Sequence, residues 1–502
     1  MQERRLNDST SDIGIVYLVL LVSLYFVING LTIIGGVQIA AFAFLIVLSL
    51  LFYKNNNLNS TDFLWLLSVV PFTYIVKTWT VACVRDFVAY LAFVIFVVKI
   101  RTKPELFNRP LKLLFSMSLF HLVFVFINVI FKTQYQNLLY AVMSPTAIPT
   151  YNYAVKGNYY TGFGYIPGDT SGYLVDGVIL IVFLNGLLKR KHRALTAALL
   201  MLGIMFCAKK SHILCLVLTI AITWVMCSSD NGSGSKRRNK IVIAILAMIS
   251  ILTLGYILLP FFTNIPMINR ISIAVEKYVS GGDYTSNRTN LSNIAVHFFN
   301  ENKTFGIGWK TFNQYTYHRW GKSNYVNNVY LQLAAETGIV GSVLFISPMF
   351  FNLISTIKKI NAVRKLQQEK AGQITGEPVN NRPFVGGSFA NGQMINRPGV
   401  VMPAVKAADV GTPAVKAAAV GAPVVGLQTL EGQNQEEKIG IGTYLKISFA
   451  FQVFYLLYCF FEIPFYDYTF LFIYALALVI SNSISYDDIA AEQAISNQKI
   501  TE

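Results

Sequence analysis

The sequence predicts an all-α fold, a polytopic transmembrane helical bundle of about twelve spans with a large outer loop bearing amphipathic helices. Three observations predict it. Of 502 residues, 54% are hydrophobic and 13% charged, where a soluble domain carries about 25% charged residues; the mean hydropathy of +0.50 agrees. The apolar residues come in runs of about the 20 residues that a helix needs to cross hydrocarbon, where only internally hydrogen-bonded backbone survives. Finally, Lys and Arg concentrate in short loops that fall on one side when the spans alternate.

Taken in order, Ile13 to Tyr53 is long enough for two spans, with Asn29-Gly30 as the turn between them. Further spans are expected at Asp62–Val76, Thr80–Val98, Leu111–Phe131, Ser171–Leu188, Ala194–Ala208, Ser211–Cys227, Ile241–Phe262, Thr337–Ile357, Tyr444–Phe461 and Tyr466–Ile480. The basic loops at Arg4-Arg5, Lys99/Arg101/Lys103, Lys189-Arg190-Lys191/Arg193, Lys236-Arg237-Arg238/Lys240 and Lys358-Lys359/Arg364-Lys365 then share one side. That side reads as cytoplasmic, with both termini on it. The organisation expected is N-terminal transmembrane helices over 1–131, an outer loop over 132–170 and transmembrane helices over 171–262. A large outer loop over 263–336 and a span over 337–357 follow. A cytoplasmic loop over 358–443, two C-terminal spans over 444–481 and a cytoplasmic tail over 482–502 complete the chain.

The loop after Asn361 differs in composition. It holds two copies of a decapeptide, Pro403-Ala-Val-Lys-Ala-Ala-Asp-Val-Gly-Thr412 and Pro413-Ala-Val-Lys-Ala-Ala-Ala-Val-Gly-Ala422. Pro and Gly in each copy prevent a continuous helix, and two copies cannot build a solenoid, so the segment reads as a disordered insertion.

The charge balance excludes a nucleic-acid binder. Lys and Arg number 41 against 25 Asp and Glu, a net +16, but the excess lies in loops that set topology. Five Cys and five His show no metal-ligand spacing and no disulfide framework, and no phosphate-binding Gly loop of the ATPase type is present. No metal and no cofactor are expected, and no cleavable signal sequence. Cations on the outer side break the topology rule: Lys209-Lys210 at the outer end of a span, Arg270 and Arg288 in the large loop, and Arg85-Asp86 inside a span. Two ammonium groups at the outer boundary either anchor the helix among headgroups or hold a phosphate, to which Arg adds a two-pronged contact. After Arg288, the residues Leu291, Ile294, Ala295, Phe298 and Phe299 form one apolar helical face, expected on the membrane surface. Ile271, Ala274, Val275 and Tyr278 form another, ending at Gly281-Gly282.

Three segments, in order, carry a family resemblance. The first is Thr161-Gly-Phe-Gly-Tyr-Ile-Pro167-Gly-Asp169-Thr-Ser-Gly-Tyr173. The second is Asn287-Arg288 followed by Phe305-Gly306-Ile-Gly308-Trp309-Lys310-Thr-Phe312. The third is Asn327-Asn328-Val-Tyr330-Leu331 followed by Glu336-Thr-Gly338-Ile-Val-Gly341. Together they resemble the O-antigen polymerase and ligase superfamily of bacterial membrane proteins, loosely over 161–357.

The resemblance implies a metal-independent glycosyltransferase at the outer face of the cytoplasmic membrane. Its substrate would be an undecaprenyl-diphosphate-linked oligosaccharide, its surroundings the lipid bilayer, and its partners a flippase and a chain-length regulator. It implies that Arg288, Lys209 and Lys210 hold the diphosphate, and that Asn328, Trp309 and Lys310 contact substrate; Arg85, outside the resembling segments, reads either as a structural ion pair with Asp86 or as a further diphosphate ligand. Many members have His where this chain has Asn327, and Asn is no base near neutral pH. A base is then supplied by His318 or Glu336, or none is required because diphosphate leaves readily. Loss of that His, associated with ligases, favours a polymerase of repeat units for O-antigen, capsule or exopolysaccharide over a ligase. A lipid-linked oligosaccharide flippase is the reading of another class. It is disfavoured because the spans show no internal repeat and few charges lie deep in the membrane.

Overall fold

A computed structural model describes residues 37–52, 58–77, 79–145, 147–164, 166–184, 186–227, 265–281, 287–321, 324–375 and 439–492. The chain divides into a unit of 1–370 with 438–502, and a second unit of 371–437, of which 371–375 are described. The expected turn at Asn29-Gly30, the Ile241–Phe262 span and the decapeptide repeat lie outside the described residues.

Among the described residues the first unit is helical throughout. Helices α1 (Val37–Phe52), α2 (Ser60–Leu67), α3 (Phe72–Ile75), α4 (Val81–Lys99) and α5 (Asn108–Ile130) lead to two short helices, α6 (Lys132–Val142) and α7 (Ile148–Lys156). Then come α8 (Pro167–Phe183), α9 (Arg190–Phe206) and α10 (Lys210–Cys227). The segment 265–321 folds as α11 (Pro266–Val279), α12 (Arg288–Glu301) and α13 (Thr311–Trp320), followed by α14 (Val329–Thr375), α15 (Ile441–Tyr458) and α16 (Tyr468–Ser483). A helix thus stands at each expected span that is described. Five helices are long and apolar enough to cross a membrane, six if the bent pair Tyr468–Ser483 with Tyr486–Glu492 is one span. The molecule is a multi-pass membrane protein, with fewer full-length spans among the described residues than the twelve expected. Helices such as α8 and α9 are helical over 17 residues each, short of the ~20 that a spanning helix needs.

Helix α8 is the axis of the bundle. It packs against α5, α9, α10, α15 and α16, and every side chain from Pro167 to Ile181 is buried. Pro167 starts it at a position where a missing N–H costs nothing. Gly172 permits the close approach of α16, since a Cβ there would sit 2.3 Å from the Phe470 ring. Near the opposite end of the bundle, an Asn59/Asp62 capping box starts α2. The same Asp62 receives Arg101, one of the loop cations that set topology, at 2.5 Å.

Two expectations are corrected. Helix α14 continues through Asn361 to Thr375, so the loop expected from 358 begins as helix; the alternation of Ile360, Val363 and Leu366 still packs against the core. And the apolar face of α12 does not lie on a membrane surface. Leu291 and Ala295 are buried with Ile307, Phe312, Val326 and Ala335 in a small core of their own. The periodicity was that of a helix facing protein. Of the face expected on α11, Ile271 and Ala274 are half-buried and Val275 and Tyr278 exposed, next to the exposed Glu276 and Lys277.

Candidate functional site

The loop that carries the second motif is built around a break in α14. Gly338 has φ +65° and interrupts the helix. A break orphans carbonyls before it and N–H groups after it, and buried orphans are costly. The segment 303–308 fills the gap. Ile307 and Gly308 donate to the carbonyls of Ala335 and Glu336 at 3.0 and 2.9 Å, while Ile339 and Val340 donate to those of Lys303 and Thr304 at 2.7 and 3.3 Å. Such close docking of backbone on backbone needs residues without Cβ. At Gly306 (φ +70°) a Cβ would lie 2.4 Å from the Glu336 carbonyl, and at Gly338 2.3 Å from the Thr304 oxygen. The Gly-x-Gly and Glu-x-Gly motifs are therefore two halves of one clasp.

The clasp places Trp309 and Lys310. Trp309 is 5% exposed and packs against Phe72 at 5.1 Å between ring centroids. Its indole N–H donates to Asp86 at 3.2 Å, and its backbone N–H to the Ile75 carbonyl. Lys310 puts its ammonium 2.6 Å from Asp86. Tyr468 also donates to Asp86, and Arg85 donates to the Tyr468 hydroxyl at 3.2 Å while lying 3.8 Å from Asp86. Trp309 and Lys310 are thus an anchor for the loop. Arg85 belongs to the same Asp86 network, and its partner Tyr468 lines the cavity described below.

Those cations meet at one end of the bundle. Arg288, first residue of α12, donates to the Phe461 carbonyl at 3.0 Å and to Glu462 at 3.1 Å. Lys209 approaches the same Glu462 oxygen at 3.8 Å. Lys210 lies within electrostatic reach of Arg270 and Arg288. Arg270 reaches back to the Ala208 carbonyl at 3.3 Å and stacks over Tyr159, 4.5 Å from its centroid. Burial pushes the Tyr159 phenol up, and Arg270 opposes the shift. Lys209 and Arg288 meet at Glu462, the Arg288 side chain 42% exposed, and Lys210 links them electrostatically to Arg270.

Beside this group is a cavity of about 260 Å³ lined by Lys209, Glu462, Asp169, Asp467, Tyr325, Tyr458, Tyr468 and Phe470, among others. Asp169 and Asp467 hydrogen-bond to each other, and Lys209 acts electrostatically on both. Burial pushes Tyr325 up to about 12, with Asp86 and Glu336 acting in the same direction. Its hydroxyl stays protonated near neutral pH and is a donor. His212 packs behind the wall, 4.4 Å from Tyr458 and 5.8 Å from Phe470.

The remaining expected residues stand elsewhere. His318 is exposed on α13 and does not line the cavity. Glu336 is fully buried and receives Gln332 at 3.3 Å, inside the clasp. Asn328 caps α14, its side-chain oxygen accepting from the Leu331 N–H at 3.1 Å. Asn327 takes a left-handed φ of +56° and its amide donates to the Tyr325 carbonyl, so it positions a cavity residue. Sequence reading missed Glu462, Asp467 and His212. A signal existed for the first two, which are the only acids between Gly442 and Ser483, and acids in an apolar stretch are costly unless they have a task.

Residues 165–346 match the family model described as O-antigen ligase. The match spans all three sequence motifs except the first four residues of the first, and it supports the O-antigen polymerase and ligase superfamily for this part of the chain. A search of curated proteins returns no match. A match to that family implies a membrane glycosyltransferase-like ligase or polymerase activity.

Proposed function

We propose that this chain polymerises undecaprenyl-diphosphate-linked oligosaccharide repeat units at the outer face of a bacterial cytoplasmic membrane. The observation that carries this reading is the meeting of Arg288 and Lys209 at Glu462, with Lys210 within electrostatic reach of Arg288 and Arg270. Beside the single carboxylate of Glu462 the four cations leave an excess of positive charge, which suits a diphosphate diester. During transfer the bond from the anomeric carbon to the diphosphate breaks and negative charge grows on the leaving oxygen. Fixed cations there stabilise the transition state more than the ground state. Glu462 holds Arg288 and Lys209 in place until the lipid diphosphate arrives and takes them over. Exposed Val275 and Tyr278 of α11, set in the outer leaflet, would bring Arg270 to headgroup depth.

The test is a deletion strain complemented with Arg288→Ala at the wild-type expression level. The expected result is surface glycan of single repeat units only; full-length polymer refutes the assignment. A second reading, a ligase, is favoured by the description of the family model that matches. In that case the deletion strain makes long chains that stay on the lipid carrier.

A further inference from the structure

The cation group accounts for the leaving diphosphate but not for the proton that the acceptor hydroxyl must lose. Neither residue suggested for that task by sequence lines the cavity: His318 is exposed on α13 and Glu336 is buried in the clasp. Two carboxyl groups do line it. Asp169 sits in the first turn of α8, and Asp467 precedes α16 and caps it by accepting from the Thr469 N–H at 3.0 Å. Packing of α16 against α8, permitted by Gly172, brings the two carboxyls into hydrogen-bond contact.

We propose that the Asp169–Asp467 pair is the general base of the transfer reaction, taking the proton of the acceptor sugar's hydroxyl. The inference rests on the glycan-transfer reading above. Two carboxylates in contact cannot both be ionised, so the pair holds one proton and one negative charge, and the ionised member is free to accept a second proton. Lys209 lines the same cavity as the pair, and its ammonium also faces Glu462, the partner of Arg288. One lysine therefore joins the base to the leaving-group site. Around the pair, Tyr325, Tyr458, Tyr468 and Phe470 supply aromatic faces and hydroxyls suited to a sugar ring. A volume of about 260 Å³ is just under the ~300 Å³ at which small-molecule pockets begin, enough for one terminal sugar and too small for a chain. In the step, the acceptor oxygen forms a bond to the anomeric carbon. The bond from that carbon to the diphosphate oxygen breaks, and the diphosphate leaves with the electron pair. The hydroxyl proton passes to the ionised carboxylate of the pair.

The experiment uses the full chain in nanodiscs, with undecaprenyl-diphosphate-linked repeat units extracted from the deletion strain. Turnover and the donor KM are measured for the wild type, Asp169→Ala, Asp467→Ala, Asp467→Asn and, as a control, Arg288→Ala. Removal of a general base costs about 10²–10⁴-fold in rate. We expect Asp467→Ala and Asp169→Ala to lose at least about 100-fold in turnover with the donor KM within about threefold, and added formate to restore part of the rate in the alanine variants. Near-wild-type turnover in the aspartate variants, a loss confined to KM, or no formate rescue in a monodisperse variant overturns the inference. If Arg288→Ala is inactive while the aspartate variants are active, only the base assignment falls. If the wild type makes no polymer, the functional reading falls with it. Should Asp467→Ala not fold, Asp169→Ala and Asp467→Asn carry the same readout.

Discussion

Replacing Gly306 by Ala tests the clasp that holds the whole outer segment. The residue has φ +70°, and an added Cβ would meet the carbonyl carbon and oxygen of Glu336 at 2.4 Å. A left-handed conformation costs an L-residue about 1–2 kcal/mol. The contact is with backbone, so the segment must move away, and the bonds from Ile307 and Gly308 to the Ala335 and Glu336 carbonyls are lost. At about 1–3 kcal/mol for each of the two buried carbonyls left unpaired, the total comes to about 3–8 kcal/mol. Gly321 is the matched control: its φ is +65° but nothing lies within 4 Å of an added Cβ, so Gly321→Ala costs only the backbone strain of about 1–2 kcal/mol. The assay is denaturant unfolding of detergent-purified protein followed by tryptophan fluorescence, because buried Trp309 is tied to the same loop through Ile75 and Asp86. Hydrogen exchange at the Ile307 and Ile339 amides localises the effect. Equal destabilisation by the two variants, with both amides still protected in Gly306→Ala, would refute the reasoning, since the cost would then be dihedral strain and not undocking.

Three further outcomes are expected. Asp86→Ala leaves the Lys310 ammonium, 15% exposed beside a 9% exposed carboxylate, without its partner; unfolding measurements should show a loss of about 3–5 kcal/mol, part of which Lys310→Met recovers. Asn328→Ala removes the cap on α14 and costs about 1 kcal/mol of stability, whereas glycan length in the complemented strain stays at the wild-type value and Asn328→Ser restores stability. A shortened glycan from Asn328→Ala would return this residue to the substrate site. Glu462→Gln removes the carboxylate that competes for Arg288 and Lys209. Because Arg288 is partly exposed, the pair is worth at most about 1 kcal/mol, so calorimetry should show inorganic diphosphate binding about two- to fivefold more tightly; weaker binding would mean that Glu462 positions the cations and does not compete for them.

What the sequence determined by itself is what depends on local pattern and on the bilayer as solvent. Long apolar runs must become helices because hydrocarbon offers no other partner for backbone groups. Thus α4, α5, α10, α15 and α16 were legible, and so were the charge excess in loops and the odd cations Lys209, Lys210, Arg270 and Arg288. The motifs around Gly306, Glu336 and Gly338 were visible as motifs, but their physical purpose was not. That purpose is a backbone-to-backbone dock between 303–308 and a broken helix, and no local period encodes such a contact. Tertiary structure alone turned the apolar face of α12 inward, because a helix facing a membrane and one facing protein share the same 3.6-residue period. It also withdrew Trp309 and Lys310 into the anchor on Asp86 and left His318 outside. And it joined Asp169 to Asp467, almost three hundred residues apart, because their helices cross where Gly172 lets them touch. Partners so distant in the chain are chosen by packing, and packing is a property of the assembled bundle.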